Sequence, residues 1–353
     1  MFGPARSDGV GIAPPPECSF DHGDWHILVR FWHPVAFADD IGEDRPSGAT
    51  LLDVPLVLFR TEGAVVVARN ACPHRGAPLD RGRIVAGRLQ CPMHGLEFGD
   101  AGRCLAIPSL GDRAVLIPPR LDLAIVRHEV RYGLVWVCLS GDPVWPLPDW
   151  EGLARAGDAI VSVPVETWRT SAGRHVENFN DVAHFPFVHR DSFGGEPGAG
   201  IASYQVREVA DGLAFDLPYV EPGNRFPDGA PPGPRAVTYR YSLTFPFATL
   251  IEVQPEGSAF VLHVADVASP STAHECRIFQ IQTDFSTDPD RALWIADATM
   301  INNEDRPLVE AQRPVWLPLD PRDEGHIPAD RFSIAYRRAL VERFGLGRRD
   351  TMP

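Results

Sequence analysis

The chain has 353 residues, 44% of them apolar, and a formal net charge of −14, which is enough apolar material for two domains with separate cores. That acidic balance excludes the basic footprint of a nucleic-acid binder, and with no run of eighteen apolar residues and no basic-then-apolar leader, neither membrane spanning nor export is expected. The six cysteines, at 18, 72, 91, 104, 138 and 276, are scattered rather than set in a disulfide framework, which points to a reducing cytoplasm.

Residues 1–22 are Pro/Gly-rich and aperiodic and read as a loose arm or a segment ordered on a neighbouring subunit. From Trp25 the pattern becomes strand-like. Residues 56–59 and 64–68, split by Thr61-Glu62-Gly63, predict one hairpin, and residues 123–126 and 134–137 around Arg131-Tyr132-Gly133 predict another. Between them lie Cys72-Pro73-His74 and Cys91-Pro92-Met93-His94, with sixteen residues separating His74 from Cys91. Each loop offers one thiolate and one imidazole, the ligand set of a Rieske 2Fe-2S centre, in which two Cys hold one iron and two His the other. Two Cys and two His also satisfy a tetrahedral zinc ion, although zinc fingers usually group a Cys pair before a His pair. Both loops are expected at the tips of β-hairpins on a small antiparallel domain, residues 23–148. Arg75, Gly76 and Gly95 fit tight turns there, and Cys104 reads as a small buried hydrophobe.

The Pro-rich stretch 141–149 marks a linker into a second, α+β domain, residues 149–353. A helix is predicted around 174–184, strands at 237–251, 260–267 and 277–285, and a long helix opening at Asp288-Pro289 with Thr287 or Asp288 as its N-cap. Residues 218–234 are too rich in Pro and Gly for regular structure and read as a lid or an oligomer contact. No dinucleotide or phosphate-binding glycine loop is present, so electrons must reach the chain from another protein.

The run ENFNDVAHFPFVH at 177–189 places Asp181 three residues before His184 and His189 five residues further on. Asp181 and His184 would share a helix face, while Pro186 should end the helix and let His189 fold back to the same point. Non-haem Fe(II) oxygenases hold iron with two His and one carboxylate, leaving open positions. Taken alone, the string reads more readily as a satisfied helix end, and each acid as salt-bridged or solvated; the two Cys/His loops in the same chain reverse that balance toward a metal. The third ligand is expected from the late helix, where Trp294, Ala298, Ile301, Asp305 and Leu308 follow helical spacing and put Asp305 on the buried face. Glu304 is the fallback and Asp297 the third choice. Phe185, Phe187, Phe193 and Phe247 are candidate pocket walls, with plain core an equal reading.

Together these runs resemble the oxygenase (α) subunit of the Rieske non-haem iron oxygenases. The likeness is nearest to the homo-oligomeric branch with methylxanthine N-demethylase, vanillate O-demethylase and saxitoxin-type hydroxylases. It rests on CPHRG at 72–76, CPMHG at 91–95 and ENFNDVAHFPFVH at 177–189. RYGLVWVCL at 131–139, NEDRPLVEAQRP at 303–314 and HIPADRFSIAYRRAL at 326–340 place the branch. Met93 and Leu96 depart from the commoner Tyr and Trp of the second loop.

The resemblance implies an N-terminal antiparallel β Rieske domain followed by a helix-grip-like α+β catalytic domain with a central antiparallel sheet. It implies a 2Fe-2S cluster on Cys72, Cys91, His74 and His94, and mononuclear iron on His184, His189 and Asp305. Asp181 and Asn178 become the catalytic candidates, Asp181 matching the acid that hydrogen-bonds a cluster His of the adjacent subunit. The two metal centres of one subunit are then too far apart for electron transfer, which implies a head-to-tail ring, usually a trimer. The implied activity is monooxygenation of a small aromatic or heterocyclic substrate with O2, by hydroxylation or N-/O-demethylation, with NAD(P)H acting only through a separate reductase or ferredoxin. The alternatives are a ring cis-dihydroxylating dioxygenase and a Rieske protein that only transfers electrons.

Overall fold

The computed structural model describes residues 12–111, 113, 116–190, 192–196, 198, 200–223, 225–226, 228–283 and 290–348. The chain divides between Val144 and Trp145 into two compact units. Residues 1–11 of the expected arm lie outside the described residues. The following segment is tied to its own unit, because Ser19 gives both its backbone N–H and its hydroxyl to Asp53 Oδ2 at 2.8 Å.

The first unit opens with helix α1 (His22–Leu28), whose cap Asp21 accepts the backbone N–H groups of Gly23 and Asp24. Ten strands follow: β1 (His33–Phe37), β2 (Ser47–Leu51), β3 (Val54–Thr61), β4 (Ala64–Arg69), β5 (Arg83–Val85), β6 (Arg88–Gln90), β7 (Glu97–Phe98), β8 (Cys104–Ala106), β9 (Arg127–Arg131) and β10 (Leu134–Cys138). They pair antiparallel as β1-β10-β9, β2-β3-β4 and β5-β6-β7-β8. The first predicted hairpin is β3–β4, closed where Glu62 (φ 51°) and Gly63 (φ 78°) both take the left-handed region that a two-residue primed turn demands. The second hairpin turns at Tyr132-Gly133 as expected, but its first strand is β9 rather than residues 123–126. β9 is a mostly exposed edge strand with a polar sequence, whereas Leu123 goes into the core and Ile125 makes only a single bridge to Ala68. The apolar run marked core, not pairing.

The second unit contains helices α2 (Glu151–Ala156), α3 (Ala172–Phe179), α4 (Phe185–Val188), α5 (Arg291–Ala311) and α6 (Arg331–Ala339). Its strands are β11 (Val161–Ser162), β12 (Glu166–Trp168), β13 (Arg207–Val209), β14 (Gly212–Glu221), β15 (Arg235–Thr244), β16 (Ala248–Pro255), β17 (Leu262–Thr272) and β18 (Glu275–Thr283). They build one antiparallel sheet in the order β11-β18-β17-β16-β15-β14-β13, with β12 also on β18, and α3 packs across β17. Two expectations are corrected here. The run predicted as one strand over 237–251 is two, because Pro246 interrupts it and the chain reverses between β15 and β16. Residues 218–221, expected to be irregular, belong to β14. Pro218 is tolerated because β13 pairs only with residues 212–214, so beyond that point β14 is an edge where a missing N–H costs nothing.

The predicted opening of the long helix at 287–289 lies outside the described residues, and so does the end of the strand expected to reach 285. α5 is described from Arg291, with Asp290 as its cap, accepting the N–H of Leu293. Its buried residues are Trp294, Ala298, Asn302, Asp305 and Val309. Asp305 is thus on the inner face as expected, whereas Leu308 is exposed. Among the described residues no helix is long and apolar enough to cross a membrane.

Candidate metal centres

The two Cys/His loops share one geometry. In the first, Cys72 N–H donates to Ala77 O (2.8 Å) and Gly76 N–H to Cys72 O (2.7 Å); in the second, Cys91 N–H donates to Leu96 O (2.8 Å) and Gly95 N–H to Cys91 O (3.0 Å). Gly76 (φ 71°) and Gly95 (φ 72°) hold the left-handed position that reverses each loop. The second loop is a hairpin tip between β6 and β7, but the first joins β4 to β5, which belong to different sheets, and so is not the tip that was expected.

Cys72 and Cys91 are buried in a cluster with Phe59, Leu79, Leu89 and Phe98. His74 and His94 are exposed, their ring centroids 4.6 Å apart. Burial, with the neighbouring Cys91 thiol, pushes the Cys72 thiol up to about 11, so ionisation there depends on a metal to share the charge. Among the described residues, the grouping of His, Cys, Asp and Glu donors close enough for a single ion is His184, His189 and Asp305. The four loop ligands are not such a grouping, which disfavours the zinc reading and suits a two-iron cluster with sulfur ligands inside and imidazoles outside. Cys104 is buried in the same core.

The second centre assembles from three elements. α3 stops at Phe179 because Asn180 turns its side chain back onto Val176 O (2.8 Å), and Asp181 Oδ1 then accepts the N–H of Ala183 (2.8 Å), a local Asx turn that competes with helix. The helix expected over 174–184 is therefore two. Pro186 opens α4 instead of ending α3, sitting in a first turn that needs no N–H from it. His184 and His189 flank this four-residue helix, and their Nε2 atoms face each other at 3.1 Å. Asp305 Oδ1 stands 3.5 Å from the first and 3.4 Å from the second.

Each imidazole is braced from behind, His184 Nδ1 by Asp181 Oδ2 (3.1 Å) and His189 Nδ1 by Glu304 Oε2 (2.7 Å). These carboxylates favour the proton on Nδ1 and turn both Nε2 lone pairs inward. Asp305 Oδ1 is buried among them with no hydrogen-bond donor. Two lone pairs and an unpartnered carboxylate oxygen aimed at one point fit a cation and little else. Burial alone would raise the Asp305 carboxyl, but His189, His184 and the Asn178 side chain outweigh it and hold it below the usual carboxylate range.

Of the reserve ligands, Glu304 also accepts the Ser192 hydroxyl (2.9 Å) and supports His189, while Asp297 pairs with Arg225 at 3.2 Å. The triangle opens into a pocket lined by Phe185, Phe193, Ile251, Val253, Leu262 and Ile301, among others. Phe187, a candidate wall, is 70% exposed, because in so short a helix it points away from its neighbour Phe185. Phe247 is buried outside the pocket lining.

Sequence reasoning missed the support beneath α3. Arg337 gives Nε and Nη2 to the two carboxylate oxygens of Glu177 (2.7 and 2.8 Å) and Nη2 to Glu324 (2.6 Å), which also takes Arg174 Nη2 at 2.6 Å. The signal was present as Glu177 in one matching run and Arg337 in another, 160 residues apart, but nothing in spacing joins them.

Comparison with known proteins matches residues 31–121 to the Rieske [2Fe-2S] domain and residues 168–343 to the vanillate O-demethylase oxygenase C-terminal domain. The chain is 30% identical to methylxanthine N3-demethylase NdmB of Pseudomonas putida over 89% of both chains. It is 29% identical to methylxanthine N1-demethylase NdmA of the same organism, again over 89% of each. The solved structure of Pseudomonas putida CBB5 NdmA with caffeine superposes with a TM-score of 0.76 at 28% identity, covering 91% of this chain and 92% of that one. Dicamba monooxygenase bound to 3,6-dichlorosalicylic acid shares the fold at a TM-score of 0.72 and 24% identity, over 91% of this chain and 99% of that one.

Proposed function

Because the chain belongs to the Rieske non-haem iron oxygenases, among the N- and O-demethylating relatives, we propose that it monooxygenates a small aromatic or heterocyclic molecule with O2 and electrons from a separate reductase or ferredoxin. Where the attacked carbon is a methyl on N or O, the hydroxylated carbon leaves as formaldehyde and an amine or phenol remains. Hydroxylation and demethylation are then one reaction on different substrates. One observation carries the reading: the His184–His189–Asp305 triangle opens onto an apolar pocket in the same chain as the two Cys/His loops.

When bound, a cluster on Cys72, His74, Cys91 and His94 stores the electron, and iron on His184, His189 and Asp305 activates dioxygen. The chain's own residues set the conditions. Asp181 and Glu304 fix the tautomers of the two His ligands, and Asn178 holds the Asp305 carboxylate. Phe185 and Phe193 keep water from the reacting face. Arg225 is neutralised by Glu221 Oε2 (3.0 Å) and Asp297 Oδ2 (3.2 Å), leaving the pocket without a bare cation from that side chain. Asp181, a third exposed on its side chain, also borders an open polar cleft; that exposure supports the reading in which the chain forms a head-to-tail trimer and Asp181 meets a cluster His of the neighbouring subunit.

The test is anaerobic reconstitution, an iron assay, and incubation with a surrogate reductase and a panel of N-methyl, O-methyl and unsubstituted aromatics. Iron beyond the cluster's two per chain and formaldehyde from a methylated probe are expected. Two irons alone would reduce the protein to an electron carrier, and a cis-diol from an unsubstituted ring would replace demethylation with dihydroxylation. With iron supplied in excess, Asp181→Ala should still take up both metals, the iron at His184 more weakly because that imidazole loses its brace, and should lose turnover even when fully loaded.

A further inference from the structure

The sheet beneath the pocket carries a polar strip that the reaction described above leaves unused. Side chains in register across neighbouring strands fall in rows on one face, opposite Cβ atoms lying about 5 Å apart. One row, Tyr241–Ile251–Val264–Gln282, contributes to the pocket; the next is Leu243–Thr249–Asp266–Gln280. α3 closes over this second row. His175 Nε2 lies 2.8 Å from Asp266 Oδ1, and Asn180 Nδ2 donates to Thr249 Oγ1 at 2.9 Å. Trp168 and Phe179 hold the His175 ring edge-on and stacked.

His175, Asn180, Thr249, Asp266, Gln280 and Gln282 are all at least nine-tenths buried. Nevertheless Asn180 Oδ1, His175 Nδ1, Asp266 Oδ2, Gln280 Oε1, Gln282 Oε1 and the Tyr241 hydroxyl have no protein partner. Each such atom left bare carries an uncompensated desolvation cost, and a native fold does not concentrate that cost in one strip unless internal water satisfies it. The ends of the strip are informative. Asn180 reaches the open cleft that also contains Asp181 and Tyr204, while Gln280 and Gln282 reach the metal pocket.

We propose that this strip is a water-filled proton conduit from the cleft beside Asp181 to the metal pocket, with His175 and Asp266 as its proton-exchanging pair. The inference rests on the oxygenase reading, whose balance is R–H + O2 + 2 e⁻ + 2 H⁺ → R–OH + H2O. A reductase supplies the electrons, but the two protons must come from solvent through walls that are largely apolar. Imidazole accepts a proton at one nitrogen and releases one from the other, and Asp266 stabilises the cation between the two events. The unpartnered His175 Nδ1 and Asp266 Oδ2 are the free ends of that pair, where water can bond. The other polar groups of the pocket are committed: Tyr239 donates to Glu221, and Arg225 is held by Glu221 and Asp297.

Two measurements test this. High-resolution crystals of the iron-loaded protein should show ordered water on Asp266 Oδ2 and His175 Nδ1 and between Gln280 and Gln282; a dry strip, or these atoms paired among themselves, overturns the proposal. In the holoenzyme, Asp266→Asn should retain both metals and bind the methylated aromatic probe as before. It should turn that probe over about 100-fold more slowly, with an enlarged solvent deuterium isotope effect and partial recovery in Asp266→Glu. If Asp266→Asn does not fold, Thr249→Val cuts the same route and should enlarge the isotope effect. Wild-type rate and isotope effect in the variant that folds would sink the conduit. A wild-type protein that oxidises no probe would count against the oxygenase reading instead, and the crystallographic water would still decide the conduit.

Discussion

The two proposed metal centres are built by opposite strategies. The cluster loops are local: each closes on itself through two backbone hydrogen bonds and one left-handed glycine, with thiols sunk in a core and imidazoles at the surface. The second centre is distributed. Its ligands come from the two ends of a four-residue helix and from α5, more than a hundred residues later, and every ligand is aimed by another side chain. A local site tolerates change elsewhere in the chain, whereas a distributed one reports on the packing of its whole unit.

The sharpest way to break that comparison is to remove one donor from the distributed site. Asp305→Ala should abolish mononuclear iron and turnover while the reduced cluster keeps its paramagnetic resonance signal; loss of both signals would mean that the two sites are not independent. Next in size is Arg337→Ala, which leaves Glu177 and Glu324 to share the one guanidinium of Arg174. It should cost about 1–3 kcal/mol in denaturant unfolding and lower iron occupancy at the second site without touching the cluster.

Glu304→Ala should weaken iron binding about 10–100-fold by freeing the back of His189, measured by competition with a chelator. The smallest effects belong to the local site. Gly76→Ala should cost about 1 kcal/mol for its positive φ, and Gly95→Ala somewhat more, because a Cβ there meets Pro108 Cγ at 3.2 Å whereas one at Gly76 meets nothing. Equal destabilisation of the two in thermal unfolding would show that the loops are not told apart by their surroundings.

The same contrast explains what was legible in the sequence. The proposed cluster ligands fall within 23 residues with regular chemistry, so nominating them needed no tertiary knowledge. Asp305 could be read because burial of one helix face repeats with a known period, and the error of naming Leu308 instead of Val309 beside it reflects how a buried stripe drifts around a helix. The helix break at Asn180 was not legible, because a side chain that caps its own helix looks the same in sequence as one that continues it. The proline at 186 was read as a stop when it marks a start, since proline suits both boundaries. The buried Arg–Glu network and the polar strip under α3 depend on contacts across the fold that no periodicity announces.

One detail of the second centre links shape to coordination. Phe193 stacks on His189 at a centroid distance of 4.7 Å and an interplanar angle of 25°, and the Arg225 guanidinium sits 5.4 Å over the same phenyl ring. Glu304 grips both His189 and Ser192, the residue next to Phe193. A guest that leans on that phenyl therefore pushes against the imidazole behind it, and the cavity's filling is felt mechanically at the ligand before any chemistry begins.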